Sequence, residues 1–460
     1  MEVFMNGLAQ FVAVMNKILW DYLLLFLLVF TGVFFTLRLR FVQVRHFKTG
    51  LKTLFGGFSL NGGSHERGLS SFQALTTAIA AQVGTGNIAG AATAIASGGP
   101  GAIFWMWVSA FFGMATIYGE ATMAQKTRVV KDGEVVGGPI YYIKAVYKGA
   151  FGKFVAGFFS VAIILALGFM GNMVQSNSIG DSFANAFGVK TWCVGIVVAL
   201  IAALIFIGGV RRIAWVTEKI VPIMALLYTV GCLFILVMNL PGVVTAFRQI
   251  FVMAFAPQSV VGGAAGITVQ KAMRFGVARG LFSNEAGMGS TPHAHALAKV
   301  KHPCEQGSIA MISVFLDTFV VLTLTALVII TSGLFDNGLD GIELTQAAFS
   351  QVFGGFGGIF IAVCLLFFAF STIVGWYFFG EQNIRYLFGE KAVKIYAALV
   401  VCFIVLGSLL KVELVWSMAD MFNGLMVIPN LLGVLALSGI VSKLYADFRS
   451  RSEKKQKKTR

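Results

Sequence analysis

Charge is scarce in this chain. Only 12% of its 460 residues are Asp, Glu, Lys or Arg, about half the roughly 25% of an ordinary soluble domain. That shortage excludes a globule solvated by water over most of its surface. Cysteine supplies no framework either. The five cysteines, Cys193, Cys232, Cys304, Cys364 and Cys402, are single and widely spaced. With no CxxC and no Cys/His spacing suited to zinc, they read as small apolar helix residues. The alternating segments of about 10 residues that a closed membrane barrel needs are also missing. No Ser/His/Asp or metal constellation rises above background, which argues against an enzyme.

What is present is apolar length. The chain is 57% hydrophobic with a mean hydropathy of +0.83. Runs around 20–37, 155–171, 191–210 and 220–240 meet the need for about 20 apolar residues per spanning helix. The first run has only Lys17 before its core, is too long for a signal-peptide core and lacks a small-residue cleavage site, so it stays as a helix. The pattern predicts an all-α integral membrane protein with eleven spans near 11–37, 70–97, 101–125, 150–178, 191–209, 213–239, 263–297, 308–333, 355–386, 392–410 and 413–441. Walking the loops between them places 28 of the 35 basic residues on one side, from Arg38 and Arg40 to the Lys-rich tail. By the positive-inside rule the N-terminus is outside and the tail cytoplasmic. The basic tail directly follows a membrane helix, so it reads as an anchor along an anionic leaflet rather than a nucleic-acid patch. The organisation is therefore 1–69, a first helix and basic loop; 70–441, the core; and 442–460, the tail.

Two spans carry poor helix interior. In the second, Ala80-Ala81-Gln82-Val83-Gly84-Thr85-Gly86-Asn87 sets two glycines around a threonine. In the seventh, Phe275-Gly276-Val277-Ala278-Arg279-Gly280 precedes Ser283-Asn284-Glu285-Ala286-Gly287-Met288-Gly289 and Pro292. Ser283 or Asn284 there is placed to cap a fresh half-helix. Irregular backbone at membrane depth implies a protein-lined cavity. Half-helix N-termini offer N–H groups to an anion, and freed carbonyls can ligate a cation. One such site can hold both ends of a zwitterion and a metal ion. Helices two and seven are five apart, which fits a 5 + 5 inverted repeat preceded by one extra helix. The competing reading of Gly86 and Gly90 is close helix packing, and the two readings are compatible.

Other polar residues lie inside spans. Arg279, Glu285, Glu120 and Asp317 read as a relay or gate, or as ion pairs of Arg279 with one of these carboxylates. His293 and His295 read as polar packing or proton sites. Ser371 and Thr372 either bond their own helix or offer oxygen to a hard cation. Asn172, Gln175 and Asn177 line a vestibule or form a polar helix end. Trp376, one turn from Thr372, floors a small pocket or packs generally.

Read in order, Gln82-Val-Gly-Thr-Gly-Asn-Ile-Ala-Gly90, Gly98-Gly-Pro-Gly-Ala-Ile-Phe-Trp-Met-Trp107, Gly137-Gly-Pro-Ile-Tyr-Tyr142 and Gly280-Leu-Phe-Ser-Asn-Glu-Ala-Gly-Met-Gly-Ser290 resemble the alanine or glycine:cation symporter family. That family is similar in fold to the leucine transporter. The resemblance spans about 70–440. It implies a secondary symporter importing alanine or glycine, commonly with Na⁺, in a prokaryotic plasma (inner) membrane. It implies that the substrate carboxylate meets Gln82, Thr85 and Gly86, with Asn87 supporting the break and Asn172 and Gln175 nearby. The ammonium and methyl would face Phe275, Gly276 and Gly280, above Trp376. Sodium would sit among the carbonyls of Ala80, Val83 and Phe368 and the hydroxyls of Ser371 and Thr372. Proton coupling through Glu285 or Asp317 is the alternative. A channel lacks its ring of equivalent filter groups. Partners beyond substrate, lipid and Na⁺ are not implied, and the oligomeric state stays open.

Overall fold

The computed structural model describes residues 2–56, 68–131, 133–256, 269–410 and 413–459. In chain order the main helices are α1 (Asn6–Arg38), α2 (Ser71–Gln82), α3 (Ala91–Gly98), α4 (Gly101–Thr127), α5 (Gly149–Phe187), α6 (Thr191–Phe206), α7 (Gly209–Met238) and α8 (Leu240–Met253). They continue as α9 (Val269–Asn284), α10 (Pro292–Leu297), α11 (Pro303–Ser332), α12 (Gly341–Phe353), α13 (Gly355–Phe388), α14 (Glu390–Leu409), α15 (Glu413–Ala436) and α16 (Ser438–Thr459). Eight of these, α1, α4, α5, α7, α11, α13, α14 and α15, are long and apolar enough to cross a membrane. Each predicted span falls mainly on one helix, except 70–97 and 263–297, which fall on the pairs α2/α3 and α9/α10. The predicted span 413–441 stops sooner, at Ala436, and α16 starts beyond a turn at Leu437. Residues 263–268, Arg67 and Arg460, parts of those expectations, lie outside the described residues.

Local chemistry explains the boundaries. Ser70 and Gln73 form a reciprocal capping box at the start of α2, with Ser70 Oγ accepting from Gln73 N at 3.0 Å and Gln73 Oε1 accepting from Ser70 N at 3.2 Å. Helix α13 begins after Gly354 and ends at Gly389, both at positive φ. The lipid-facing ridges of α6 and α7 are apolar, with Leu200, Leu204, Leu226, Val230, Leu233 and Phe234 exposed. Between helices, small residues let backbones touch, as bilayer packing demands. A Cβ at Gly307 of α11 would lie 2.9 Å from the Tyr118 carbonyl of α4.

The core layer sets α2 against α7 and α13, α9 against α3 and α4, and α5 against α13 and α14. At one end the chain is sewn shut. Leu69 N donates to Leu297 O at 3.0 Å and Lys299 N to Leu69 O at 3.0 Å, tying the entry to α2 to the exit from α10. Gln125 and Arg128, at the end of α4, donate to the carbonyls of Ala296 and Ala298. A two-stranded antiparallel ribbon, β1 (Val129–Lys131) and β2 (Glu134–Val136), then brings Glu134 to Arg385 of α13 at 2.8 Å. Arg385 also holds Glu381, at 2.8 Å.

Glu381 is nearly fully buried while Glu134 is mostly exposed, so the two pairs differ in consequence. Arg385→Met leaves a buried carboxylate unpaired and costs about 3–5 kcal/mol. Glu134→Gln breaks only an exposed pair and changes stability little. Thermal unfolding of the detergent-solubilised protein, followed by intrinsic fluorescence, checks this contrast. Equal midpoints for the two variants would contradict it.

Candidate functional site

Helix α2 ends at Gln82 because Val83 turns to extended backbone, ψ 90°. The freed groups find side chains. Gly84 N donates to Asn87 Oδ1 at 3.0 Å, and Asn87 N donates back to Gly84 O at 3.2 Å, so Asn87 closes its own turn. Thr85 N donates to Gln175 Oε1 of α5 at 3.2 Å. The helix resumes as a wide π turn over Gly86–Gly90 before α3. Glycine is required at 84, where a Cβ would strike Thr372 Oγ1. Gly86 lets Ser283 approach: a Cβ there would lie 3.1 Å from the Ser283 Cα.

The second break is not at Phe275–Gly280. Helix α9 runs unbroken through Asn284, and the chain comes undone over Glu285–Thr291. Glu285 takes φ 56°, Gly287 φ 94° and Gly289 φ 79°. Gly276 and Gly280 serve packing instead. A Cβ at Gly276 would collide with the Ala102 carbonyl of α4, and one at Gly280 would lie 3.5 Å from Met106 Cγ. Phe275 sits at the α3 contact, 3.4 Å from where a Gly98 Cβ would be. Gly276, which weakens the helix on paper, is the glycine that a neighbour's backbone needs. The residues that break it carry left-handed φ. Ser283 and Asn284 therefore close the first half-helix rather than start the second; Asn284 Oδ1 accepts from Ala286 N at 3.0 Å.

The loosened segment is held from both sides. Gly287 N donates to Glu120 Oε2 at 3.1 Å, and Gly287 O accepts from Asn430 Nδ2 at 2.9 Å. Asn430 also bonds Glu120 and Tyr142. Glu285 accepts from Ser290 Oγ at 2.6 Å and from the Trp376 indole.

Two links join the breaks. Gln82 Nε2 donates to Asn284 O at 2.7 Å. Asp317, in a π-helical stretch of α11, accepts from Asn87 Nδ2 at 2.7 Å, Ser283 Oγ at 3.0 Å and Thr318 Oγ1 at 2.8 Å. Thr318 accepts in turn from Asn284 Nδ2 at 3.2 Å. Sequence reasoning offered Asp317 as a relay, gate or ion-pair residue or a coupling acid, not as a link between the breaks, and missed Asn430. A π insertion leaves no clear signature in composition, and Asn430 reads as one amide beside Pro429.

Five oxygens gather where α2 ends on α13. Thr372 Oγ1 lies 3.0 Å from Ala80 O, 3.5 Å from Val83 O and 3.0 Å from Phe368 O. Ser371 Oγ lies 3.4 Å from Ala80 O and 2.9 Å from Phe368 O. Both hydroxyls thus bond their own helix and face the end of α2. Neutral oxygens converging this way suit a hard monovalent cation. Every group expected to hold Na⁺ is in this cluster.

The expected guest residues Gln82, Thr85, Gly86, Asn87 and Gln175 also converge, with Asn172 one turn from Gln175 and Trp376 one turn from Thr372. Among the described residues, four buried atoms here have no partner: Gln82 Oε1, Thr85 Oγ1, Asn172 Oδ1 and Gln175 Nε2. Leaving such groups unmet costs roughly 1–3 kcal/mol each.

Arg279 does not pair with Glu285, Glu120 or Asp317. It binds Asp420 of α15 through two bonds, 3.1 and 3.0 Å, with its guanidinium 5.4 Å over the Trp416 ring. Arg279 and Trp416 border a cavity of about 620 Å³, lined also by Asn177, Asp181, Asp340, Glu343 and Glu413. His293 is spoken for by Ser290 O at 2.8 Å and Asn383 Nδ2 at 3.0 Å, and His295 meets Gln306 at 2.8 Å. Polar packing describes them.

Comparison with known proteins places this geometry. A family model described as the sodium:alanine symporter family matches residues 5–460. The sodium/alanine symporter AgcS of Methanococcus maripaludis is 43% identical over 448 residues, 95% of this chain and 97% of that protein. The probable sodium/glutamine symporter GlnT of Bacillus subtilis is 41% identical over 443 residues, 96% of this chain and 91% of that one. Among solved structures, MhsT in complex with L-phenylalanine matches with a TM-score of 0.58 at 13% identity, covering 83% of this chain and 98% of that chain, a likeness of fold alone. Matched along nearly its whole length, the chain belongs to the sodium:alanine symporter family, multi-pass membrane transporters with sodium as the co-transported ion, and is not an enzyme.

Proposed function

We propose that this chain imports a small neutral amino acid, alanine or glycine, together with Na⁺ by alternating access in a prokaryotic plasma membrane. The observation that carries this reading is the oxygen cluster of Ala80, Val83, Phe368, Ser371 and Thr372 abutting the first break. The four unpartnered atoms beside it supply the complement of an amino-acid zwitterion. The Thr85 hydroxyl and the Gln175 amide donate to a carboxylate, and Gln82 Oε1 and Asn172 Oδ1 accept from an ammonium. Gly84 touches both sets, lying against Thr372 Oγ1 and 3.3 Å, for a Cβ, from Gln175 Oε1. Sodium bound at the end of α2 stiffens the turn that the guest must grip, and that is the coupling.

The architecture proposed with it has eleven spans, an extra first helix and two inverted sets of five, with α2/α3 and α9/α10 as the broken members. Residues 1–69 form the entry helix and loop, 70–441 the transport core and 442–460 the tail. The acidic cavity bordered by Arg279 and Trp416 then faces outward, and the sewn end with Arg385 faces the cytoplasm. Each inward Na⁺ gains about 2.3 kcal/mol per 100 mV beyond its concentration gradient. The relatives named for alanine and glutamine are nearly equally similar to this chain, so overall identity does not choose the substrate; the pocket does.

In proteoliposomes, an inward Na⁺ gradient drives accumulation of labelled alanine, and a pH gradient without Na⁺ does not. Uptake as fast in the absence of Na⁺ would end the sodium reading in favour of protons. Thr372→Val removes one ligand and raises the Na⁺ concentration for half-maximal uptake at least about tenfold, equivalent to about 1.4 kcal/mol. Gln175→Leu loses a charge-assisted bond to the substrate carboxylate, about 1.5–3 kcal/mol. Its alanine KM accordingly rises about ten- to a hundredfold, with Na⁺ dependence retained.

A further inference from the structure

Trp376 is held unusually firmly for a large side chain beside two unwound segments. Its indole N–H donates to Glu285. Phe282 meets its ring edge-on, with centroids 5.7 Å apart. Behind it stands Gly171 of α5, where a Cβ would lie 2.5 Å from Trp376 Cζ3 and 2.7 Å from Cε3. The indole therefore has no room to retreat toward α5 and one polar tether toward α9. Phe282 continues the wall, since its ring would lie 3.3 Å from a Cβ on Gly86 in the first break.

Glu285 is an odd choice for a mere tether. It is fully buried, adopts φ 56° and, among the described residues, has no ion pair with a basic side chain. Left-handed backbone is strained for a residue with a Cβ, and Gly or Asn takes it more readily. Each of its carboxyl oxygens takes one donor, Ser290 at Oε2 and Trp376 at Oε1. One donor belongs to the unwound segment and the other to α13, the helix that also carries Ser371 and Thr372.

We infer that Glu285 is a positioning residue which, with Gly171 behind the ring, fixes Trp376 as the wall that limits the transported side chain to a methyl or a hydrogen. This deepens the reading that the two breaks hold an amino acid, and it rests on that reading. The tether acts through the indole and not on the substrate. Glu285→Ala therefore frees the ring to swing and enlarges the pocket, whereas Glu285→Gln keeps an oxygen for the indole N–H. Gly171→Ala pushes the ring toward the breaks and shrinks the pocket.

The test is competition against labelled alanine uptake in proteoliposomes with Na⁺ present, using glycine, alanine, serine, methionine and glutamine. The expected result has three parts. In Glu285→Ala, methionine and glutamine compete at least tenfold better relative to alanine than in the unaltered protein. Glu285→Gln keeps the original order. Gly171→Ala shifts preference from alanine to glycine by a similar factor. An unchanged order in Glu285→Ala overturns the inference, as does equal widening in Glu285→Gln. Loss of alanine affinity in both Glu285 variants with the order intact also overturns it, because that marks direct contact with substrate. If Glu285→Ala yields no folded protein, Gly171→Ala decides alone, and an unchanged alanine-to-glycine ratio overturns the inference. Failure of the unaltered protein to take up any small amino acid defeats the functional reading itself, a result separate from all of these.

Discussion

A peptide group without a hydrogen-bond partner is costlier in hydrocarbon than in water, and among the described residues the backbone ladder opens at two places inside the helical bundle, at Val83–Thr85 and Glu285–Thr291. Everything around the two openings answers that cost. Asn87 closes the first turn with its own side chain. Gln175 reaches in from α5 to the Thr85 N–H. Glu120 and Asn430 take the two sides of the Gly287 peptide. The polar residues of an otherwise apolar chain are concentrated where helices stop being helices. That is why so few charges suffice, and why nearly all of those within the bundle have named partners.

The same accounting ties the two openings into one unit. Asp317 accepts from Asn87 of the first and Ser283 of the second, and Gln82 donates to the Asn284 carbonyl. A shift of either break must stretch bonds to the other. Gly84 extends the connection to α13 through its contact with Thr372. On the function proposed above, a cation among the oxygens of α2 and α13 and a guest at the loosened turns would act on one connected piece of structure. Coupling by shared restraint needs no long pathway, since the groups involved are within one or two residues of each other.

How far this was legible beforehand depended on whether the feature was local. The spans were, because about 20 apolar residues can do little else. The first break was also legible, because Gly84, Thr85, Gly86 and Asn87 are adjacent and each is a poor helix interior residue. The oxygen cluster followed from the family resemblance. The second break was misplaced by about ten residues. Gly276 looks like a weak point in sequence but is demanded by the Ala102 carbonyl of α4, a contact that only packing defines. Arg279 was offered three carboxylates within neighbouring spans and took a fourth, Asp420, more than a hundred residues on. The roles of Asn430 and Asp317 depend on which helices meet, and a single chain's pattern does not encode that by spacing.

The two ends of the molecule are closed by different means, and the difference bears on how it moves. At the end bearing Leu69 and Arg385, closure runs through backbone pairing of Leu69 with Leu297 and Lys299, through Gln125 and Arg128 on successive carbonyls, and through the ribbon clasped by Glu134. At the other end a cavity of about 620 Å³ is bordered by Arg279, which pairs with Asp420, and by Trp416, whose ring centroid lies 5.4 Å from that of Phe282. Opening the thin side requires rotating a few side chains. Opening the thick side requires separating main chain from main chain, and those bonds must be replaced by water as they part. On the alternating-access reading proposed above, such a bundle would stay closed at the thick end until something bound at the breaks altered the balance, which suits a device that must not leak ions when it carries no guest.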